Sequence, residues 1–188
     1  MLSTSIKVLA AASLACCALS HAALEAENTP DQILTFDGLG PVRIGMTPSQ
    51  AEEALGAKFS PKLDFEEDSC WYAHRADGVD PQVYYMVQDN EIVRIDIEER
   101  ELGKTETVDP YISTEKGIRV GSTEEQIKEG YGAKVEISPH PYLEEAGHYL
   151  EVLRSDMQRG LLFETNDNKV TTFRSGTPDA IRLIEGCS

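Results

Sequence analysis

The stretch VRIGMTPSQ at residues 42–50 returns, with mostly conservative changes, as IRVGSTEEQ at residues 118–126. The similarity extends further along the chain, since LGAK at residues 55–58 corresponds to YGAK at residues 131–134. The offset is 76 residues in both cases. A fixed offset between similar segments is typical of a repeated structural unit. This motif therefore predicts that the chain contains two copies of one fold.

A second pair of matching segments indicates the length of the unit. Asp89-Asn90 corresponds to Asp167-Asn168 at an offset of 78 residues. We predict a first unit at residues 34–104 and a second unit at residues 111–188, joined by a polar connector at residues 105–110. Because a unit of about 75 residues buries only a modest core by itself, the two units are expected to pack together.

The repeated motif carries the signals of a helix start. Thr47 and Thr123 are good N-cap residues, and Gln50 and Gln126 follow them by three positions, which is the spacing of a capping box. Pro48 suits the first position of a helix, where no amide hydrogen is required. The sequence therefore predicts a short helix after each threonine.

The segments after the helices are predicted to be extended. Gly56 and Gly132 stand where a left-handed residue is expected to end each helix. Apolar and alternating runs then predict strands: Cys70–Arg75, Val83–Gln88 and Glu91–Glu98 in the first unit, and His148–Ser155, Gly160–Asn166, Lys169–Ser175 and Ala180–Glu185 in the second. The predicted fold class is α+β, with two tandem copies of a unit made of a strand, a helix and a three-stranded antiparallel meander.

The N-terminus has the pattern of a secretory signal peptide. Lys7 precedes an apolar run of twelve residues, and the small residues around Ala22 follow it. We predict a signal peptide at residues 1–22, a linker at residues 23–33 and a periplasmic location. The apolar run is too short to span a bilayer, which requires roughly 20 residues.

A lipid-anchored form is the alternative. Cys16 and Cys17 lie near the end of the apolar run, where an acylated cysteine would stand. The surrounding residues fit a lipobox poorly, because Ser13 takes the position usually held by leucine. The soluble exported form is therefore favoured.

Two cysteines, Cys70 and Cys187, remain after removal of the signal peptide. An even number of cysteines in an exported protein indicates a disulfide bond. We predict a Cys70–Cys187 disulfide that ties the middle of the chain to its end. Trp71, next to Cys70, is expected to pack in the core against this disulfide; an exposed Trp71 would instead be a candidate contact for a partner.

The charge of the chain is strongly acidic. There are 33 acidic residues against 17 lysines and arginines, for a net charge of -16. Loss of Lys7 with the signal peptide would bring it to -17. Such a surface repels nucleic acid and anionic lipid, so neither is expected as a partner. It attracts a basic protein instead.

The pattern of strand, Gly-x-Thr, helix and glycine, followed by strands, resembles the repeat unit of the beta-lactamase inhibitory protein family. Gly45-Met46-Thr47 fits the Gly-Met-Thr opening of that unit, and Gly121-Ser122-Thr123 fits it with serine in place of methionine. A similar unit in single copy occurs in small outer-membrane assembly lipoproteins. The overall layout is also similar to uncharacterised exported proteins of proteobacteria.

The resemblance implies a tandem α/β fold and a protein-binding function. The matching residues have a folding role, so no binding residue is carried over through them. The family places one disulfide in each copy, whereas this chain has the cysteines for a single bond between the two predicted copies.

No catalytic motif is present in the sequence, and we predict neither an enzyme nor a cofactor nor a metal centre. The segment 138–148 differs most between the two copies and is predicted to be a loop. His140, Tyr142 and His148 within it are tentative binding residues, together with Glu144 and Glu145. A small-ligand or metal site in this loop is the alternative to the function favoured by charge and resemblance, that of a non-catalytic module that binds a basic protein of the cell envelope.

Arg43 and Arg119 occupy equivalent positions in the repeated motif. In so acidic a chain, each is expected to pair with carboxylates of its own unit. A shared role in binding an anion is the alternative.

Overall fold

The computed structural model describes residues 33–63, 69–80, 82–98 and 112–187. The predicted signal peptide at residues 1–22 and the predicted connector at residues 105–110 lie outside the described residues. The predicted linker at residues 23–33 is described only at Ile33.

Within the described residues, the chain forms eleven strands and three short helices. In chain order they are β1 (Ile33–Thr35), β2 (Gly38–Leu39), β3 (Val42–Arg43), α1 (Pro48–Leu55), β4 (Cys70–Ala73), β5 (Val83–Gln88), β6 (Glu91–Glu98), β7 (Ser113–Thr114), α2 (Glu124–Tyr131), β8 (Val135–His140), β9 (Glu144–Leu153), β10 (Gly160–Asn166), β11 (Lys169–Gly176) and α3 (Pro178–Ile181). A 3₁₀ turn at Gly132–Lys134 connects α2 to β8.

The strands form two sheets. The small sheet has the order β3-β2-β1-β7, with β1 and β7 parallel. The large sheet is antiparallel and has the order β4-β5-β6-β11-β10-β9-β8. Its two meanders, β4–β6 and β9–β11, meet at the β6–β11 pair, where Asp96 lies opposite Arg174. The mixture of helices and sheets confirms the predicted α+β class.

The core lies between one face of the large sheet and the layer formed by the small sheet, α1 and α2. The large sheet contributes buried aliphatic and aromatic residues, among them Ile95, Phe163 and Phe173. Ala51 of α1 and Ile127 of α2 are completely buried against them. The small sheet and the two helices therefore cover this face of the large sheet, and they leave its other face available to a different element.

The capping boxes predicted at the two helices are present. The Thr47 hydroxyl accepts a hydrogen bond from the Gln50 amide at 3.3 Å, and the Gln50 side chain accepts one from the Thr47 amide at 2.9 Å. Thr123 and Gln126 form the same pair of bonds at 3.2 and 2.8 Å. Each box satisfies two amides that a helix start leaves unpaired.

The loop before each helix is hydrogen-bonded to a strand of the large sheet in the same way. Each loop donates one backbone hydrogen bond to the strand and accepts one from it, at 2.8 to 2.9 Å. The pairs are Gly45 with Ile92, Met46 with Ile92, Gly121 with Val170 and Ser122 with Val170. These bonds fix the position of each helix relative to its meander.

The hairpin turns follow the sequence prediction. Asp89 and Asn90 have φ angles of 48° and 65°, and Asp167 and Asn168 have φ angles of 47° and 61°. Two successive residues with positive φ form a type I′ turn, which matches the twist of an antiparallel hairpin and favours Asn and Asp. The turns connect β5 to β6 and β10 to β11.

The last predicted strand, Ala180–Glu185, is wrong. The chain forms the helix α3 at Pro178–Ile181 instead. The Thr177 hydroxyl accepts a hydrogen bond from the Ala180 amide, and Pro178 occupies the first helical turn. This is the Thr-Pro signal seen at Thr47, and it outweighs the short apolar alternation that suggested a strand.

The predicted loop at residues 138–148 is also wrong, because β8 and β9 form a hairpin through most of it. Pro139 is tolerated because β8 is the edge strand of the large sheet, where no further ladder bond is needed. The predicted strand His148–Ser155 begins earlier, at Glu144. Gly132 has φ 64° and ψ -141°, outside the left-handed helical region that Gly56 adopts, and the chain tightens there into the 3₁₀ turn.

Candidate functional site

The C-terminal segment, residues 177–187, crosses the second face of the large sheet, opposite the core. At its start, α3 packs on β10 and β11, and a Cβ atom added at Gly160 would lie 2.5 Å from the Cδ1 atom of Ile181. At its end, the disulfide between Cys70 and Cys187 joins it to β4, with a Cα–Cα distance of 5.3 Å. The segment is therefore anchored at both ends, and the predicted disulfide forms the second anchor.

Arg94 of β6 anchors the middle of the C-terminal segment. This side chain is only 3% exposed. Its Nη1 atom donates to the backbone oxygens of Ala180 and Leu183, both at 2.9 Å, and its Nε atom donates to Asp96 at 2.9 Å. Its Nη2 atom donates to the Tyr72 hydroxyl. A cation at the last carbonyls of a helix is favoured by the helix dipole, so Arg94 caps α3 from the sheet.

Arg174 of β11 belongs, with Arg94, Asp96 and Glu164, to a group of side chains that we call the buried charge cluster. Arg174 is 4% exposed, and it forms ion pairs with Glu164 and, at 3.6 Å, with Asp96. Its guanidinium lies 6.0 Å from the centre of the Tyr149 ring. Burial lowers the pKa of Arg174, and the neighbouring Asp96 offsets part of this effect. The charges alternate in sign along the cluster, which compensates for their burial.

His140 lies at the edge of the buried charge cluster. Its ring centre is 4.7 Å from that of Tyr149, and its Nε2 atom is 3.8 Å from a Glu164 carboxylate oxygen. Burial, together with the positive charge of Arg174, lowers the pKa of His140. The imidazole is therefore neutral at pH 7. Its Nδ1 atom accepts a hydrogen bond from the Tyr142 amide at 3.2 Å.

Tyr142 links the β8–β9 turn to the C-terminal segment. The residue is 64% exposed, and its hydroxyl donates a hydrogen bond to the Glu185 carboxylate. Leu183 and Ile184 of the same segment are also exposed, by 38% and 45%. Three large apolar side chains thus lie on the outer surface of the C-terminal segment and the turn bound to it. We call Tyr142, Leu183 and Ile184 the apolar patch.

His148 lies on the opposite face of the large sheet from His140. Its Nδ1 atom is 2.8 Å from a carboxylate oxygen of Glu124, which also accepts a hydrogen bond from the Thr165 hydroxyl at 2.8 Å. Burial alone would raise the pKa of Glu124, but the hydrogen bonds with His148 and Thr165 lower it further than burial raises it. His148 therefore fixes the first turn of α2 to β9 and β10.

The structure does not bring the two tentative histidine ligands together. His140 and His148 are separated by the sheet, and Tyr142 contacts only the first of them. Searching the described residues finds no group of three or more His, Cys, Asp or Glu side chains that could hold a metal ion. Glu145 is exposed, and the side chain of Glu144 lies outside the described part of the structure.

Trp71 is half-buried and packs against the hydrophobic core. It does not pack against the disulfide, because side chains alternate along β4 and Cys70 lies on the second face. The predicted ion pairs of Arg43 and Arg119 are wrong as well. Arg43 donates to the backbone oxygens of Gly40 and Val42, and neither arginine forms an ion pair with a described carboxylate.

Apart from the disulfide cysteines, the residues that anchor the C-terminal segment were not identified from sequence. Arg94 and Asp96 alternate with buried isoleucines along β6, which shows that they share the second face of the sheet. The alternation gives no sign that this face is covered. That information lies in the Thr-Pro signal at Thr177, which stands between the predicted strands Lys169–Ser175 and Ala180–Glu185 and marks the start of α3.

No family model matches this chain, and no curated protein matches it. Two solved structures are similar in part. One is a cysteine-rich secretory protein from Staphylococcus aureus subsp. aureus Mu50, at 13% identity and a TM-score of 0.32, over 77% of this chain and 48% of that one. The other is an extracellular protein containing a SCP domain from Bacillus anthracis str. Ames, at 13% identity and a TM-score of 0.36, over 82% of this chain and 48% of that one.

This chain spans about half the length of those two structures. Similarity at such TM-scores assigns neither a fold family nor a function, and the resemblance to the beta-lactamase inhibitory protein family stays a prediction. The disulfide is compatible with export to an oxidising compartment. None of the helices in the described part of the chain is long and apolar enough to cross a membrane.

Proposed function

We propose that this protein is an exported, non-catalytic binding module that presents its C-terminal segment to a basic protein partner in the cell envelope. The observation that carries the proposal is the apolar patch. Large apolar side chains are held outward on a backbone that a disulfide and a buried arginine fix in place.

The fixed backbone distinguishes this patch from isolated apolar residues on a surface. Arg94 holds the carbonyls of Ala180 and Leu183, and Cys187 is covalently bound to β4. A surface that is already ordered loses little conformational entropy when a partner binds, which increases affinity. Exposed and ordered apolar side chains with a polar rim are typical of protein-binding sites.

The charges around the apolar patch favour a basic partner. Asp179 and Glu185 of the C-terminal segment are exposed. Arg182, the one basic residue of the segment, is paired with Glu151 at 2.6 Å. The net charge of the whole chain is -16. Such a field attracts a basic protein at long range and increases the rate of association, and salt reduces this effect.

We propose further that the two halves are tandem copies of one unit, as in the family that the sequence resembles. The equivalent capping boxes, the two type I′ turns and the matching hydrogen bonds from loop to strand support this. The partner of such a module could be a basic envelope enzyme, for which this protein would act as an inhibitor or immunity protein. A ligand or metal site shared by His140 and His148 is not supported, because the histidines lie on opposite faces.

The proposal is tested by capture from a cell-envelope extract with tagged residues 23–188 at low and at high salt. The partner is identified by mass spectrometry and purified, and its Kd is then measured against variants. We expect Ile184→Asp to weaken binding at least tenfold, since it replaces an exposed apolar side chain of the patch with a charge. Val79→Asp is the matched control, because Val79 is similarly exposed on the β4–β5 connection.

An equal effect of Ile184→Asp and Val79→Asp would contradict the assignment of the patch. Binding that is insensitive to salt would contradict the electrostatic part of the proposal. Melting curves of both variants show whether they remain folded.

A further inference from the structure

A cavity of about 290 Å³ opens beside α1, distant in sequence from the C-terminal segment. Its apolar wall consists of Leu39 and Pro41 at the β2–β3 connection and of Ala54 and Leu55 at the end of α1. Arg75, Asp80 and Tyr85 form the polar part of the lining. Polar groups make up more of its accessible lining than apolar ones, so the cavity offers an apolar wall and a polar side to one ligand. Small-molecule sites use such precisely placed polar groups to orient a ligand on an apolar surface.

Tyr85 of β5 supplies a hydrogen-bond donor to this cavity. The residue is only 3% exposed, and its ring is held by Phe59, with 5.1 Å between the ring centres. Its hydroxyl has no hydrogen-bond partner among residues 33–63, 69–80, 82–98 and 112–187. Burial, and to a lesser extent the charge of Asp80, raise the pKa of Tyr85 far above its usual value. The phenol is thus a neutral donor at any physiological pH.

Arg75 supplies a second donor. Its Nε and Nη2 atoms bind the two oxygens of Asp77 at 3.0 and 2.7 Å. This bidentate pair fixes the plane of the guanidinium. The Nη1 atom takes no part in the pair and has no hydrogen-bond partner in the described part of the chain. Arg75 can therefore donate from a fixed position.

The charges around the cavity disfavour a charged ligand. Arg75 would repel a cation, and Asp80, together with Asp77 beside Arg75, would repel an anion. A neutral molecule with an oxygen that accepts hydrogen bonds avoids both costs. Its oxygen satisfies the Tyr85 hydroxyl, which otherwise loses part of its hydration without compensation.

The equivalent helix position in the second half carries a larger residue. Helix α2 ends at Tyr131, at the position where α1 ends at Leu55, and the Tyr131 ring packs on Phe163 with 5.8 Å between the ring centres. The cavity beside α1 therefore coincides with Leu55, which is smaller than the tyrosine at the equivalent position of α2.

We propose that this cavity binds a small, uncharged amphiphile that has an apolar body and one oxygen able to accept hydrogen bonds. The cavity is roughly twice the volume of the 150 Å³ cavities that hold benzene, so the ligand has on the order of ten heavy atoms. This inference is independent of the proposed protein-binding function, which uses the other face of the large sheet.

The test uses acetophenone as the probe, because it has an aromatic body of suitable size and a single carbonyl oxygen. Backbone amide NMR shifts of residues 39, 40, 54, 55 and 85 are followed during titration of the disulfide-bonded protein. We expect saturable shifts with a Kd of about 1 mM or tighter, as a ligand of this size allows. Ethylbenzene, phenylacetate and phenethylammonium are the matched probes that lack the oxygen or carry a charge, and each should bind more weakly.

Two variants assign the binding to the cavity. Leu55→Tyr introduces at the end of α1 the larger residue that stands at the end of α2. It should occupy the cavity and abolish the shifts. Tyr85→Phe removes the donor and should weaken acetophenone binding about three- to tenfold while leaving ethylbenzene binding unchanged. Tyr131→Phe in the second half is the control and should bind as the wild type does. If Leu55→Tyr does not fold, Ala54→Leu serves to fill the cavity.

The proposal is overturned if acetophenone gives no saturable shifts at these residues. It is equally overturned if the cavity-filling variant binds like the wild type, or if a charged probe binds more tightly than acetophenone.

Discussion

Arg94 connects the large sheet to the C-terminal segment through one side chain. Its donors serve Asp96, Tyr72 and two carbonyls at the end of α3, and nearly all of its surface is buried. Removing it would leave the Ala180 and Leu183 backbone oxygens without their donor and the buried Asp96 carboxylate with only the longer ion pair to Arg174, at 3.6 Å. A buried charge that loses its partner is one of the most damaging changes in a protein.

We expect Arg94→Met to reduce the free energy of unfolding by about 3–5 kcal/mol, measured by urea denaturation. Arg43→Met is the matched control, because Arg43 is exposed and donates only to nearby carbonyls. Its effect should stay within about 0.5 kcal/mol. Similar losses in the two variants would show that Arg94 does not have the anchoring role assigned to it.

His140 gives stability a dependence on pH near neutrality. Its pKa is below the usual 6.5 because burial and Arg174 disfavour the charged ring. Protonation therefore favours the unfolded chain, where the ring is hydrated. The resulting contribution to stability is complete above about pH 6.5 and is lost as the pH falls through the pKa of the folded state.

We expect the melting temperature of the wild type to fall between pH 7.5 and pH 5.5 more than that of His140→Asn. Asparagine retains an acceptor for the Tyr142 amide but does not titrate. His74→Asn, at an exposed histidine on another edge of the sheet, is the control. A decline as steep in His140→Asn as in the wild type would rule out His140 as its source.

At the scale of single elements, the sequence predicts the helix starts, turns and strands that depend on residues close together in the chain. The capping boxes at Thr47 and Thr123 and the turn at Asp89-Asn90 follow from local rules, and β5, β6 and β10 have the predicted bounds. The hairpin of β8 and β9 and the helix α3 were not predicted. The hairpin is not apparent in the sequence because Pro139 and Pro141 suggest a loop, although an edge strand tolerates proline. Helix α3 does carry a local signal, Thr177-Pro178, but the short apolar alternation after it favours a strand.

We expect Thr123→Ala to reduce the free energy of unfolding by about 1 kcal/mol, because it removes the oxygen that accepts from the Gln126 amide. Thr123→Ser retains that oxygen and should have a much smaller effect. Urea denaturation of both variants provides the comparison. If alanine and serine behave alike, the cap contributes nothing measurable to α2.

At the scale of the whole molecule, the disulfide joins residues that are 117 positions apart and closes the C-terminal segment over the sheet. By the chain-entropy account, a loop of this length adds about 4–5 kcal/mol to stability. We expect the double variant Cys70→Ser, Cys187→Ser to lose a stability of that order in urea denaturation and to bind the protein partner more weakly. Unchanged affinity would mean that the anchor at Cys187 is not needed to present the apolar patch.

The sequence could not show where the proposed partner surface lies. The net charge of the chain predicts that the partner is positively charged. The repeated motif predicts the two helices, and the apolar and alternating runs predict most of the strands. The apolar patch arises only because Tyr142 on the β8–β9 turn meets Glu185 of the C-terminal segment. Those residues are far apart in the sequence, and the elements that bring them together are the two that local patterns misidentified.

Amide hydrogen exchange of residues 23–188, with and without the captured partner, tests the central claim most directly. Binding through the apolar patch should slow exchange at residues 142, 143, 177 and 179–187 and leave the amides around the cavity beside α1 unaffected. Protection that is confined to the edge of β8, to α1 or to the β4–β5 connection would contradict the proposed surface.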